Sequence, residues 1–360
     1  MKINRLELKN FRNYERQEVV FDEGLNILVG KNAQGKTNIL EAIFFAVIGK
    51  SFKVSKEKEA IKWESEVATI KADFSRLYRD VSVELIFNKS SKKAIKIDGV
   101  SIKKIGELLG TVNAVFFSPQ ELKLVRESPD ERRRFMNIDI SQTNKRYFYA
   151  LNRYEKVLAN RNKLLKITKD FSVLKDTIDI WDRALVDLAE KIYLERKEFI
   201  EKLAPFAEKA HSYISGGNEK LEIVYDSFDA KGKDFKEEML KALQKNLEKD
   251  FKHGYTSVGI HRDDLDIYLN GVEVKNFGSQ GQQRTAALSM KLAELEIIKE
   301  RTGEYPILLL DDVFSELDSE RQKRLLNFTS RTQTIITCTE FTLPLKSKIF
   351  NVVSGNIKTI

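Results

Sequence analysis

Apolar and polar positions alternate through Ile3–Leu8, and short apolar runs recur at Val19–Phe21, Leu25–Val29, Thr69–Phe74, Val81–Phe87 and Ala94–Ile97. Both patterns predict strands. Asp98-Gly99 joins the last of these runs to Val100–Ile102 with residues that accept the positive φ of a two-residue hairpin. Val112–Phe117 is a further buried-type run, ended by Ser118-Pro119. From about residue 120 the period lengthens. Ser128-Pro129-Asp130-Glu131 supplies an N-cap, a proline at the first helical position and a glutamate three residues after the cap. Tyr147, Leu151, Tyr154, Leu158 and Leu165 then keep a four-three spacing with Arg161 in the polar slot, and Trp181, Leu185, Leu188, Ile192 and Phe199 repeat it. This predicts an antiparallel helical hairpin around a polar stretch at Thr168–Asp176, with Pro205 and Gly216-Gly217 breaking the helical pattern beyond it.

Strand signals return from about residue 255. Leu265–Leu269 and Val272–Val274 flank the hairpin pair Asn270-Gly271, Gln282–Lys299 predicts a long helix, and Ile307–Leu310 and Thr334–Thr337 predict buried strands. The pattern predicts an α/β fold in two lobes: residues 1–117 with 256–360 form one, and a mainly helical lobe, 118–255, is inserted. No internal repeat or low-complexity tail interrupts this plan.

The stretch that gives the plan a chemistry is Gly30-Lys31-Asn32-Ala33-Gln34-Gly35-Lys36-Thr37, set between the run Leu25–Val29 and the helical segment from Ile39. Strand, glycine loop and helix are the context in which this spacing binds phosphate. The glycines let backbone N–H groups wrap a polyphosphate, and the helix N-terminus adds its positive dipole end. Lys36 is placed to reach the β- and γ-phosphates of ATP and Thr37 to hold Mg²⁺. Ile307–Leu310 ends in Asp311 and Asp312, a buried strand that delivers one carboxylate to the metal and a second to the attacking water. Phe277-Gly278-Ser279-Gln280-Gly281-Gln282-Gln283-Arg284 sets Ser279, Gly281 and Gln282 at another helix start, a second phosphate-binding geometry.

These three stretches, with Ser315-Glu316-Leu317-Asp318 after the acids, resemble the ABC-type ATPase head. In that family the serine-glycine segment of one subunit closes over the nucleotide held by the other. Asn10-Phe11-Arg12-Asn13-Tyr14, Phe117-Ser118-Pro119-Gln120-Glu121-Leu122, Pro129-Asp130-Glu131-Arg132-Arg133-Arg134 and Gly259-Ile260-His261-Arg262-Asp263-Asp264 extend the likeness over the whole chain. In this order they resemble the RecF family of bacterial recombination mediators. The resemblance implies an ATP-dependent homodimer on double-stranded DNA near gaps or junctions, working with RecR and RecO to load RecA in repair and replication restart. It also makes Gln120 a candidate link between metal and water. Arg12 is either a contact to the phosphates or a surface arginine. Ile335-Ile336-Thr337-Cys338 is followed by Thr339 and Glu340 where most ABC ATPases carry a switch histidine, so slow hydrolysis is expected.

The net charge is +8, and residues 121–166 carry twelve basic side chains against six acidic ones. Such an excess in a helical insert points to DNA phosphates, with Arg132, Arg133 and Arg134 as the leading candidates and steep salt dependence rather than base reading. One cysteine excludes a disulfide framework or a thiolate metal cluster and suits a reducing cytoplasm. No apolar run is long enough to span a membrane. The main rival, the nucleotide-binding subunit of a membrane transporter, wants a switch histidine and a shorter helical subdomain. A chromosome-structuring protein with long coiled-coil arms has too little chain between Lys36 and Ser279. His261 has no partner histidine or cysteine and reads as structural, and His211 and His253 read as ordinary helix residues.

Overall fold

Apart from Leu25–Val29, the strand signals of the first hundred residues become a six-stranded antiparallel sheet. Its order is Tyr14–Val20, Lys2–Phe11, Val67–Ser75, Asp80–Asn88, Ala94–Ile97, Val100–Ile102. The structure, a computed structural model, describes residues 1–50, 57–341 and 347–360. Asp98 and Gly99 turn the last hairpin with φ of 51° and 80°, the positive values that their residue types accept. A second six-stranded sheet runs Asn356–Thr359, Lys348–Val353, Leu25–Val29, Thr334–Cys338, Ile307–Asp311, Ala114–Phe117. All its pairings are parallel except the C-terminal hairpin.

Parallel strands are buried on both faces, which is why these read as unbroken apolar runs. Ile27, Leu28, Leu308, Leu309, Leu310, Ile335 and Ile336 have no solvent exposure. Helix Lys36–Ile48 touches strands of both sheets, so it is apolar all round instead of striped. Because the strands run the same way, their C-terminal ends place Gly30, Ser118, Asp311 and Cys338 along one sheet edge. Ligands of open parallel sheets bind at that edge.

Contacts group the chain into two units. One comprises Met1–Leu122, Phe206–Lys220 and Gln280–Ile360, the other Lys123–Pro205 and Leu221–Ser279. The sequence pattern draws the lobes at 118 and 256, whereas the contact grouping puts Phe206–Lys220 with the first unit and extends the second to Ser279. Asp264–Leu269 pairs along its whole length with Leu221–Asp226, a strand that the pattern does not reveal, and with Val272–Glu273 the two form a three-stranded sheet in the helical unit.

Within that unit Lys145–Ile167 and the part of helix Asp179–Ser215 up to Pro205 do run antiparallel: Arg196 Nε donates to Tyr147 Oη at 3.1 Å, and Arg161 Nε to Asp182 at 2.6 Å. Arg161 is fully buried and also reaches Asp250 and Thr256. The stretch expected to be a polar connection carries helix Phe171–Thr177, whose Leu174 is buried. Pro205 does not end its helix, which continues to Ser215; it only removes the N–H owed to the carbonyl of Glu201. Helix Pro129–Thr143 begins after Ser128 as expected, but no capping box forms, because Ser128 makes no side-chain cap and Glu131 pairs with Arg134.

Candidate functional site

Gly30 closes the strand Leu25–Val29, its N–H donating to the Cys338 carbonyl at 3.3 Å. Only glycine fits there: a Cβ would lie 2.3 Å from the Val352 carbonyl oxygen. Gly35 has φ of 110°, and a Cβ on it would lie 2.5 Å from Asn13 Nδ2. The hairpin between the first two strands therefore props the loop. Asn13 Nδ2 donates to the Gln34 carbonyl and Tyr14 Oη to that of Gly35, each at 3.0 Å, while Ser354 N–H donates to Gln34 Oε1 at 2.6 Å. Lys31, Asn32 and Ala33 form the exposed crown of the loop. Lys36 turns back beneath it and donates to the carbonyls of Gly30 and Lys31. Burial lowers its pKa, with Asp312 the leading opposing influence.

Asp311 is the hub beside this loop. Its Oδ1 accepts from Thr37 Oγ1 at 2.9 Å and from Thr337 Oγ1 at 2.7 Å. Asp312 adopts φ of 51°, and its N–H is bound by the Thr337 carbonyl and hydroxyl oxygens at 3.1 and 3.0 Å. That turn leaves Asp312 Oδ1 buried with no hydrogen-bond partner among the described residues. A buried acceptor of this kind calls for a ligand or ordered water. Gln120, on the short turn Pro119–Leu122, joins Ser118, Pro119, Asn32–Asn38, Asp311, Asp312 and Thr337 around a cavity of about 390 Å³. The Thr37 hydroxyl and Asp311 carboxylate are hard oxygen donors suited to Mg²⁺. No cluster of three acidic, histidine or cysteine side chains stands among the described residues, so such a cation would take its other ligands from phosphate and water.

The other predicted residues lie elsewhere. Arg12 makes a two-point pair with Glu41, whose side chain is wholly buried, and also binds the Glu59 carbonyl. Ser279 is exposed immediately before helix Gln280–Thr302, and the cavity lining includes none of Ser279, Gly281 and Gln282. The first turn of that helix holds no acid to offset its positive dipole end. Thr339 and Glu340 are exposed beyond Cys338. His261 bonds Tyr154 Oη at 2.7 Å and the Thr256 carbonyl at 3.0 Å, and burial brings its pKa down to about 4. It is a neutral structural residue.

Two expectations change. Arg132 is 3% exposed and turned inward, making a two-point pair with Asp264 and donating to the carbonyls of Leu124 and Glu127. Arg133 binds Asp130 and the Asp263 carbonyl, so of the three arginines only Arg134 stands well exposed. Consecutive helix positions point about 100° apart, so the run divides: Arg132 turns into its unit, Arg133 lies at the edge and Arg134 faces out. Replacing Arg132 by alanine strands a largely buried Asp264 carboxylate and is expected to cost roughly 2–4 kcal/mol of stability. Urea unfolding checks this; a wild-type midpoint with a flattened DNA salt dependence would return Arg132 to the surface. His211 is also no ordinary helix residue, being fully buried against Glu219. Thr337 is a site residue that the sequence motifs miss. Its one signal is a hydroxyl near the end of an otherwise apolar strand.

A phosphate loop, a buried strand ending in paired acids beside it, and a separate helix led by a serine-glycine segment define the ABC-type ATPase head. The RecF/RecN/SMC N terminal domain model matches residues 2–357. A DNA replication and repair protein RecF from Clostridium botulinum (strain Alaska E43 / Type E3) is 44% identical over 99% of both chains. Its counterpart in Clostridium perfringens (strain SM101 / Type A) is 43% identical over 99% of this chain and 100% of its own. A solved structure described as the recombination mediator protein RecF-ATPrS in the RecFOR pathway superposes with a TM-score of 0.93, at 38% identity over 100% of this chain and 98% of its own. The chain belongs to the RecF family. An Smc head bound to the C-winged helix domain of ScpA shares the fold at a TM-score of 0.59 and 16% identity.

Proposed function

We propose that this chain is an ATP-gated DNA clamp of repair and replication restart. Two copies associate head to tail around two ATP molecules on double-stranded DNA at gaps or single-strand junctions. The observation that carries the reading is the convergence of Thr37 and Thr337 on Asp311 at one sheet edge, with Oδ1 of the adjacent Asp312 left without a partner among the described residues. Solved RecF structures described with ATP support the nucleotide.

Lys36 exchanges the loop carbonyls for the β- and γ-phosphates. Thr37 and Asp311 would hold Mg²⁺, which neutralises phosphate charge when bound. Asp312 accepts a hydrogen bond from the attacking water, and Gln120 reaches the same cavity from the other wall. Ser279, Gly281 and Gln282 face the γ-phosphate of the opposing subunit. The lack of a histidine after Cys338 makes turnover slow. The exposed basic residues Lys123, Arg126, Arg134, Lys145, Arg146, Arg153, Lys156, Lys163 and Lys166 offer DNA a backbone-reading surface. The reading has the chain act in the cytoplasm with RecR and RecO to load RecA, and membership of the RecF family supports it. No helix among the described residues is long and apolar enough to cross a membrane.

Sedimentation velocity with and without MgATP and gapped duplex tests this. Dimers are expected only with ATP, and more of them with DNA. A monomer in every condition would sink the clamp.

A further inference from the structure

The segment Phe206–Lys220 groups with the ATPase unit although the chain on both sides of it belongs to the helical one. Within it, His211 is fully buried, and its Nε2 lies 3.0 Å from Glu219 Oε2. The other carboxylate oxygen, Glu219 Oε1, accepts from the side-chain amide of Gln282 at 2.8 Å. On its far side His211 Nδ1 faces helix Gln280–Thr302 again, 3.4 Å from Ser289 Oγ. Glu219 is thus held from behind by a buried ring and grips in front the residue next to Gly281. The same helical turn is closed by Thr285 Oγ1, which donates to the Gly281 carbonyl at 2.8 Å.

Resting on the clamp reading, we propose that Glu219 is a positioning residue for the serine-glycine segment, setting the aim of the Gln282 amide and of the first turn of its helix. Glu219 does not line the nucleotide cavity, so its action runs through Gln282. A carboxylate suits the task better than an amide because it accepts at both oxygens at once and cannot flip into a donor. The charges around the pair agree. Burial lowers the His211 pKa, so the ring is neutral near pH 7 and its Nε2–H is available to donate. Burial also opposes Glu219 ionisation, but the Gln282 amide, His211 and Arg321 together outweigh it and keep the carboxylate charged. Arg321 lies on helix Ser319–Phe328, which comes after the paired acids, and its Nη1 would be 3.8 Å from a Cβ on Gly281. One carboxylate is therefore bonded to the serine-glycine turn and lies in the field of Arg321 on the helix that follows the acid strand.

The experiment compares Glu219→Ala and the near-isosteric Glu219→Gln with wild type in the full-length chain. Four readouts are taken: thermal midpoint, ATP affinity at dilutions where the protein is monomeric, ATP-driven association by sedimentation, and ATP turnover. Loss of one charge-assisted hydrogen bond predicts association and turnover lowered roughly tenfold or more in Glu219→Ala, with monomer ATP affinity within about twofold of wild type. The conservative Gln variant should recover only part of this. His211→Phe, which fills the same space without a donor, should reproduce a milder version. Wild-type association and turnover in a folded Glu219→Ala would overturn the proposal. So would a parallel fall in monomer ATP affinity, which would mean that Glu219 merely holds the unit together. Failure of the clamp reading looks different, because wild type itself would then not associate with ATP.

Discussion

Lys36→Ala is expected to weaken ATP binding by roughly ten- to a hundredfold, with turnover falling below detection. The side chain is already committed to the interior of the loop through the carbonyls of Gly30 and Lys31. Its ammonium is therefore preorganised, and exchanging carbonyl for phosphate partners demands little movement. A charged hydrogen bond of this kind contributes about 1.5–3 kcal/mol, which is the fold-change stated. The fold should survive, since alanine suits the first turn of a helix and the hydrogen bonds lost are those to the carbonyls of Gly30 and Lys31 in the same loop. Fluorescent-nucleotide titration of the monomer measures it. Undiminished affinity would remove the phosphate-loop assignment.

The difference between Lys36 and Arg132 explains how much can be read from the residues alone. The loop is a local device: strand, glycines and helix are contiguous, and the left-handed Gly35 and the crowded Gly30 impose glycine by backbone geometry. Strand Ile307–Asp311 is likewise local, because a parallel strand must be apolar on both faces. Arg132 depends on a partner at Asp264, far along the chain, and no sequence period indicates that an arginine will be turned inward. The same holds for Arg161, whose slot in an apolar stripe is visible in the sequence while its partners Asp182 and Asp250 are not. Strand Leu221–Asp226 escapes because its short alternation acquires meaning only beside Asp264–Leu269. Pro205 misleads for a different reason. A proline costs a helix one hydrogen bond and some crowding, and a long amphipathic helix packed along its length absorbs that.

The second large effect concerns Ser279, exposed at the start of its helix and absent from the lining of the phosphate-loop cavity. Ser279→Arg should leave ATP binding by the monomer unchanged, since nothing in that cavity is altered. It should abolish ATP-driven association and turnover, because a bulky cation then occupies the place of a hydroxyl against the opposing nucleotide.

Mixing Ser279→Arg with Lys36→Met subunits tests the shared site most directly. In a mixed dimer one site carries both defects and the other carries neither. The account predicts that two preparations inactive alone regain part of the wild-type turnover when combined at concentrations where wild type associates. If the mixture stays as inactive as its components, the composite site is wrong and ATP is handled within a single chain.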